Sequence, residues 1–143
     1  MIMRLIPLLF VLVLLAGCGS ADVDEHVGPP GPATWQLTSA VVNGQAITAA
    51  SLPGAFTIRF MEDDILSGSS ACNSIGATYR LEPAAFIILD GVWSTEVHCG
   101  AANAAVENVL FSLGEGGRYQ LPSRNTLRLT APAGEVTFVQ SNP

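Results

Sequence analysis

Ala55-Phe56-Thr57-Ile58-Arg59-Phe60 places an apolar side chain at every second position, with Phe56, Ile58 and Phe60 on one face and Thr57 and Arg59 on the other. Successive side chains of a strand point to opposite faces, so this alternation predicts a half-buried β-strand. Glu62-Asp63-Asp64 follows as a polar turn, and Ile65 to Ser70 returns as the partner strand of a hairpin. Three adjacent carboxylates raise the question of calcium. The spaced oxygen ligands and the turn glycine of a calcium loop are missing, and the three residues read as a solvated hairpin tip.

Outward from this hairpin, strand-like runs and turn signals alternate along the chain, the pattern of antiparallel β structure. Trp35 to Val42 forms the first run and stops at Asn43-Gly44, a strong turn dipeptide. Tyr79-Arg80-Leu81 and Phe86-Ile87-Ile88-Leu89 read as further strands, the second apolar enough to be expected at the centre of the core. Asp90-Gly91 is expected to turn the chain, and Val92 to Cys99 to be extended. The period then changes: Ala102, Ala105, Val106, Val109, Leu110 and Leu113 recur at helical spacing, and Gly114, Gly116 and Gly117 end the helix. Its alanine-rich stripe suits close packing on a sheet better than insertion into a membrane surface. Tyr119–Leu121, Thr126–Thr130 and Val136–Val139 complete the strands. The fold class is α+β, mostly antiparallel, with one principal α-helix.

The N-terminal part obeys different rules. Arg4 precedes an apolar run from Leu5 to Leu15 that is about 11 residues long, against roughly 20 for a helix that crosses the hydrocarbon core. A positive residue, a short apolar segment and small residues before a cut make a secretory signal. Leu15-Ala16-Gly17-Cys18 is the acceptor pattern of bacterial lipoproteins, so residues 1–17 are expected to be removed and Cys18 lipidated. An ordinary secretory signal with an incidental cysteine is the alternative. Residues 18–33 are acidic and then rich in proline and glycine; they cannot bury enough apolar surface to offset ordering entropy and read as a flexible linker. His26 falls in it, with no second ligand at a useful spacing. The remaining stretch, residues 34–143, is the size of one small domain.

The expected mature chain keeps five arginines against twelve carboxylates and has no lysine, a charge of −7. It lacks the basic footprint that phosphate backbones require, and nucleic acid is excluded as a partner. The expected partners are the membrane, through the lipid on Cys18, and an envelope protein or an apolar ligand. Gly19 after Cys18 lacks the aspartate that retains many lipoproteins at an inner membrane. The expected location is the periplasmic face of the outer membrane in a double-membraned cell, and otherwise the extracellular face of the plasma membrane.

With Cys18 assigned to lipid, Cys72 and Cys99 remain as an even pair in a compartment where disulfides persist. Two buried free thiols are the alternative, and reactive or metal-bound cysteines a further one. The neighbouring His98 invites a cysteine nucleophile, but adjacent residues of a strand face opposite ways and a disulfide sulfur attacks nothing. A zinc site from Cys72, His98 and Cys99 lacks close-spaced ligand pairs. No serine-histidine-acid order, paired carboxylates in a cleft or phosphate-cradling glycine loop is present. Catalytic residues, cofactor and metal are all read as none.

Several landmarks then fall in order. Trp35-Gln36-Leu37 opens the domain, Gly68, Cys72, Asn73, Gly76 and Tyr79 make a G-x-x-x-C-N-x-x-x-G-x-Y-like segment, Thr95-Glu96-Val97-His98-Cys99 a T-x-M-x-C-like one, Glu107 and Leu113 follow on the helix, and Leu127-Arg128-Leu129 and Val136-Thr137-Phe138 supply late strands. The chain resembles the META domain (HslJ-like) lipoprotein family from about Trp35 to Val139. It departs from the family at Ala71, where glycine is usual, and at Val97, where methionine is usual. The resemblance implies a small, cracked antiparallel β-barrel packed against a helix, in envelope proteins linked to stress or drug tolerance, without catalytic residues. Within the motif, Asn73 is expected to tolerate a left-handed turn, Gly76 to permit a tight reversal and Cys72 to staple the loop. The expected function is non-enzymatic support of envelope integrity or stress tolerance through binding. The alternative is a lipid- or protein-binding, pilot-like module using a partly open barrel whose Phe56, Phe60, Phe86, Ile87, Trp93 and Phe138 either line a groove or fill a core.

Overall fold

A computed structural model describes residues 30–141 of the chain. The signal segment 1–17, the lipidation cysteine Cys18 and His26 lie outside the described residues. Nine strands and one helix follow in the order β1 (Thr34–Val42), β2 (Gln45–Thr48), β3 (Phe56–Phe60), β4 (Ile65–Ser70), β5 (Asn73–Glu82), β6 (Ala85–Ser94), α1 (Ala101–Ser112), β7 (Gly117–Ser123), β8 (Thr126–Ala131) and β9 (Gly134–Gln140). All pairings are antiparallel and run β1-β3-β4-β5-β6-β7-β8-β9, with β2 folded onto the end of β1. Tight turns make this possible: Asn43 and Gly44 both take positive φ (51° and 77°), the hairpin geometry whose twist matches that of the flanking strands.

The expected crack is absent, because β1 also pairs with β9 from Trp35↔Gln140 to Val42↔Gly134 and closes eight strands into a barrel. A nine-residue β1 is long enough to hold β9 on one side and both β3 and β2 on the other. The seam opposite is short, with β6 and β7 joined only at Ala85↔Arg118 and Phe86↔Gly117. Gly117 allows it: a Cβ there would stand 2.7 Å from the Phe86 carbonyl oxygen and 2.8 Å from Leu113 Cδ2.

The period-two pattern sends Phe56, Ile58 and Phe60 of β3, Leu127 and Leu129 of β8, and Val136 and Phe138 of β9 into the barrel. In β1 the inward set changes phase from Trp35 and Leu37 to Ala40 and Val42, across a bulge between Leu37 and Ser39. Phe60, Tyr79 and Phe86 form one aromatic cluster, with Tyr79 stacked on Phe86 at 5.4 Å and Phe60 edge-on to Tyr79 at 5.3 Å. Helix α1 packs against β1, β6, β8 and β9 with Val106, Val109 and Leu110 buried, and Leu113 of the following 3-10 turn continues that stripe.

Four local expectations are corrected. Strand β5 begins at Asn73, so Asn73 and Gly76 sit in a strand rather than in a turn. The left-handed residue is Ala71 (φ 59°), in the turn that joins β4 to β5. Gly91 (φ 80°) does not end a strand but sits inside β6, where the register with β5 shifts between Ala77 and Tyr79, a bulge that absorbs the extra residues. Within Phe86–Leu89 only Phe86 is fully buried, Leu89 being exposed, and the extended run from Val92 leaves the sheet after Ser94. Trp93 is 58% exposed on the barrel surface, while Phe56, Phe60, Phe86 and Phe138 fill the interior.

Candidate functional site

The motif residues converge where the β4–β5 turn, the segment Thr95–Gly100 and helix α1 meet. Asn73 is the hub. Its Nδ2 donates to the Val97 carbonyl at 2.9 Å and to Glu107 Oε1 at 3.0 Å, and its Oδ1 accepts from the Thr95 hydroxyl at 2.9 Å and from the Val97 N–H at 2.8 Å. The Thr95 hydroxyl in turn accepts from the Ser74 N–H at 3.1 Å, and the Thr95 N–H donates to the Ser74 carbonyl at 3.1 Å. One side-chain amide thus replaces the ladder that β6 loses after Ser94, since each buried backbone polar group needs a partner. Cys72 and Cys99 bridge the same gap as a disulfide, with Cα atoms 6.2 Å apart.

Glu107 anchors the network on the helix. Its Oε1 accepts from the Ser70 hydroxyl, from Asn73 Nδ2 and from Asn103 Nδ2 at 3.1 Å. Ser70 and Asn103 are almost wholly buried. Asn103 and Glu107 stand one turn apart on the helix, which brings their side chains together. All three donors are neutral; among the described residues the ion pairs are Arg80–Glu82 and Arg128–Glu135, and neither involves Glu107. The carboxylate is held by geometry and left without a counter-charge.

Beside this network lies a surface groove of about 480 Å³, lined by Asn73, Val92, Ser94, Thr95, Glu96, Val97, His98, Glu107 and Phe111. Val97 and Phe111 are exposed apolar side chains, and His98, the histidine among the described residues, is also exposed. His98 makes no hydrogen bond or ion pair to the side chains around it, and no group of three His, Cys, Asp or Glu converges to hold a metal among the described residues.

Of the motif residues singled out in the sequence, Cys72, Asn73, Thr95 and Cys99 come together here. Trp35 opens β1 in the core, Gly68 and Gly76 lie in β4 and β5, and Tyr79 lies in the aromatic cluster. Gly68 is demanded by packing, since a Cβ would stand 3.1 Å from Ile58 Cα. Sequence reasoning missed Ser70, Asn103 and the hub role of Glu107. Glu107 stood among the landmarks of the resemblance without a role, and its placement four residues from Asn103, flanking Val106 on the packed side of the helix, was the signal that could have supplied one.

The META domain profile matches residues 31–143, which contain the whole barrel, the helix and the hub. The chain belongs to the META domain family. Its fold is similar to that of a protein solved by NMR, 25% identical, with a TM-score of 0.58 over 76% of this chain and 89% of that one. A second NMR structure, of a protein from Burkholderia xenovorans, is 18% identical with a TM-score of 0.60, covering 87% of this chain and 99% of that one, and shares the fold. No curated protein matches this META domain chain.

Proposed function

We propose that this META domain protein is a lipid-anchored component of the bacterial envelope that acts by binding and not by catalysis, supporting envelope integrity or tolerance of stress. The observation that carries this reading is how the polar groups at the barrel rim are used. Asn73, Thr95, Ser70, Asn103 and Glu107 bond to one another in an arrangement that holds a segment in place, and the Ser70 hydroxyl, which lies beside the Glu107 carboxylate, is wholly buried and closed to a substrate. The Leu15-Ala16-Gly17-Cys18 pattern and the proline- and glycine-rich stretch after it support a tether that holds the barrel off the membrane.

A second reading, an apolar-ligand or pilot-like module, draws on the exposed Val97 and Phe111 at the groove and Leu89 and Trp93 on β6. It has to use the surface, because Phe56, Phe60, Phe86 and Phe138 fill the interior. Complementation of a deletion strain under envelope stress tests the main reading: the lipidated chain restores growth and a Cys18→Ser chain does not. Equal rescue by both would remove the anchored role. Native mass spectrometry after incubation with a lipid extract tests the second, which fails if the protein emerges without bound lipid.

A further inference from the structure

The groove beside α1 carries two carboxylates. Glu96 and Glu107 line it together with His98, Val92, Val97 and Phe111, and none of the arginines among the described residues does. Glu107 is half-buried, its Oε1 is fixed by three donors, and its Oε2 has no partner among the described residues. A carboxylate immobilised in this way, without an ion-pair partner and set among apolar Val92, Val97 and Phe111 and polar Ser94 and Thr95, favours a cation carried on an apolar stem. The charge of the surroundings is complementary to such an occupant and not to an anion.

The strand that forms one wall also narrows the class of occupant. Among the described residues strand β6 has no strand neighbour on its β7 side beyond Phe86, so from Ile87 to Ser94 that edge carries no ladder. Helix α1 and the 3-10 turn after it pack against β6, and Val92 and Ser94, at the end of the stretch without a ladder, line the groove opposite Glu107 and Phe111. An unpaired strand edge beside pockets for side chains is the geometry that accepts an extended polypeptide by strand addition. We propose that the groove receives an extended segment of a partner protein, whose arginine guanidinium is bound between Glu107 and Glu96 and whose apolar side chains rest on Val97 and Phe111. Arginine suits the site because its planar fork engages two carboxylates at once. The proposal deepens the binding role put forward above and rests on it.

The test uses the full mature chain carrying Cys18→Ser, labelled with 15N, and a short capped peptide that alternates valine and arginine. Amide shifts are expected at Val92 to His98 and around Glu107 and Phe111, with a Kd of about 1 mM or tighter. Replacing arginine by citrulline, which keeps the shape and removes the charge, is expected to weaken binding roughly tenfold. Glu96→Gln, at an exposed position, is expected to weaken it likewise without touching the fold. Glu107→Gln keeps the oxygen that Ser70, Asn73 and Asn103 require, so it removes the charge while retaining the network. No shifts at about 5 mM peptide, equal affinity for the citrulline peptide, or unaltered binding by the Glu96→Gln, Glu107→Gln double variant would overturn the proposal. Shifts confined to another face overturn the groove assignment and leave the binding role standing, whereas equal rescue by the Cys18→Ser chain in the complementation assay removes the anchored role alone.

Discussion

Asn73 grips Val97 from both sides: its amide nitrogen donates to the Val97 carbonyl and its amide oxygen accepts from the Val97 N–H. A side chain here imitates the edge of a strand for a segment that has left the sheet, and the same nitrogen reaches on to Glu107. Replacement by aspartate keeps the acceptor and turns the donor into a second negative oxygen, facing a carbonyl and a carboxylate. Asn73→Asp is expected to lower stability by about 3 kcal/mol, the range for a buried polar group left unmatched. Glu107→Gln in that background keeps the oxygen that Ser70 and Asn103 require and removes one of the two facing negative charges. A double-mutant cycle by urea unfolding should therefore return a coupling of about 1 kcal/mol or more. Simple additivity of the two changes would sink the hub.

Cys72 and Cys99 stand 27 positions apart in the chain. Closing a loop of that length restricts the unfolded ensemble, and the chain-entropy relation gives about 3.5 kcal/mol. The Cys72→Ser, Cys99→Ser double variant is expected to lose most of that, with the denaturation midpoint falling accordingly. Hydrogen exchange should report where the loss is felt first, at Thr95 to Gly100, because the Asn73 contacts and the Thr95–Ser74 pair then hold only the start of that segment. Unchanged exchange in this segment, with the loss spread evenly, would contradict a local staple.

Gly76 supports the Trp93 indole on the outside of the barrel. A Cβ at position 76 would approach indole Cε2 to 2.6 Å and Nε1 to 2.9 Å, so one of the two must move. The exposed ring is free to swing outward, and Gly76→Ala should displace it at a stability change of about 1 kcal/mol or less. The indole N–H resonance of Trp93 should shift strongly while that of buried Trp35 stays in place. Equal movement of both resonances would mean that the barrel, and not the ring, has given way.

The strands that alternate cleanly were legible in the sequence. Phe56, Ile58 and Phe60, and the stripe from Val106 to Leu113, needed only the period of their own segments. Closure was not legible, because the pairing of β1 with β9 joins the two ends of the domain and no local pattern encodes it. Asp90-Gly91 and Asn73 misled for a related reason: the residues favoured in turns are also those that fill bulges and clamp irregular backbone. Trp93 was grouped with five residues that either line a groove or fill a core, and the bulge at Gly91 and the bare surface of Gly76 let it rest outside. The cysteine and asparagine of the hub stood out as a pair, whereas Glu107 lies 34 residues from Asn73 and gains its role only through the packing of α1.

Tyr79 gives the domain a pH response that starts in the alkaline range. Burial, and to a lesser degree the negative charge of Asp64, push its phenol above the ordinary value of 10.0. The neutral phenol is thus favoured in the folded chain, and the unfolded chain releases its proton first. Below about pH 10 both states hold the proton and the term is constant; above it the unfolded state binds fewer protons, so stability falls as pH rises toward the folded value. Urea midpoints are expected to drop between about pH 9.5 and 11 in the native protein and to drop less in Tyr79→Phe, whose own deficit is the same at every pH. Asp64→Asn should move the onset of the phenol's ionisation, read by absorbance near 295 nm, toward its ordinary value. Parallel midpoint curves for native and Tyr79→Phe proteins would show that Tyr79 does not carry the alkaline transition.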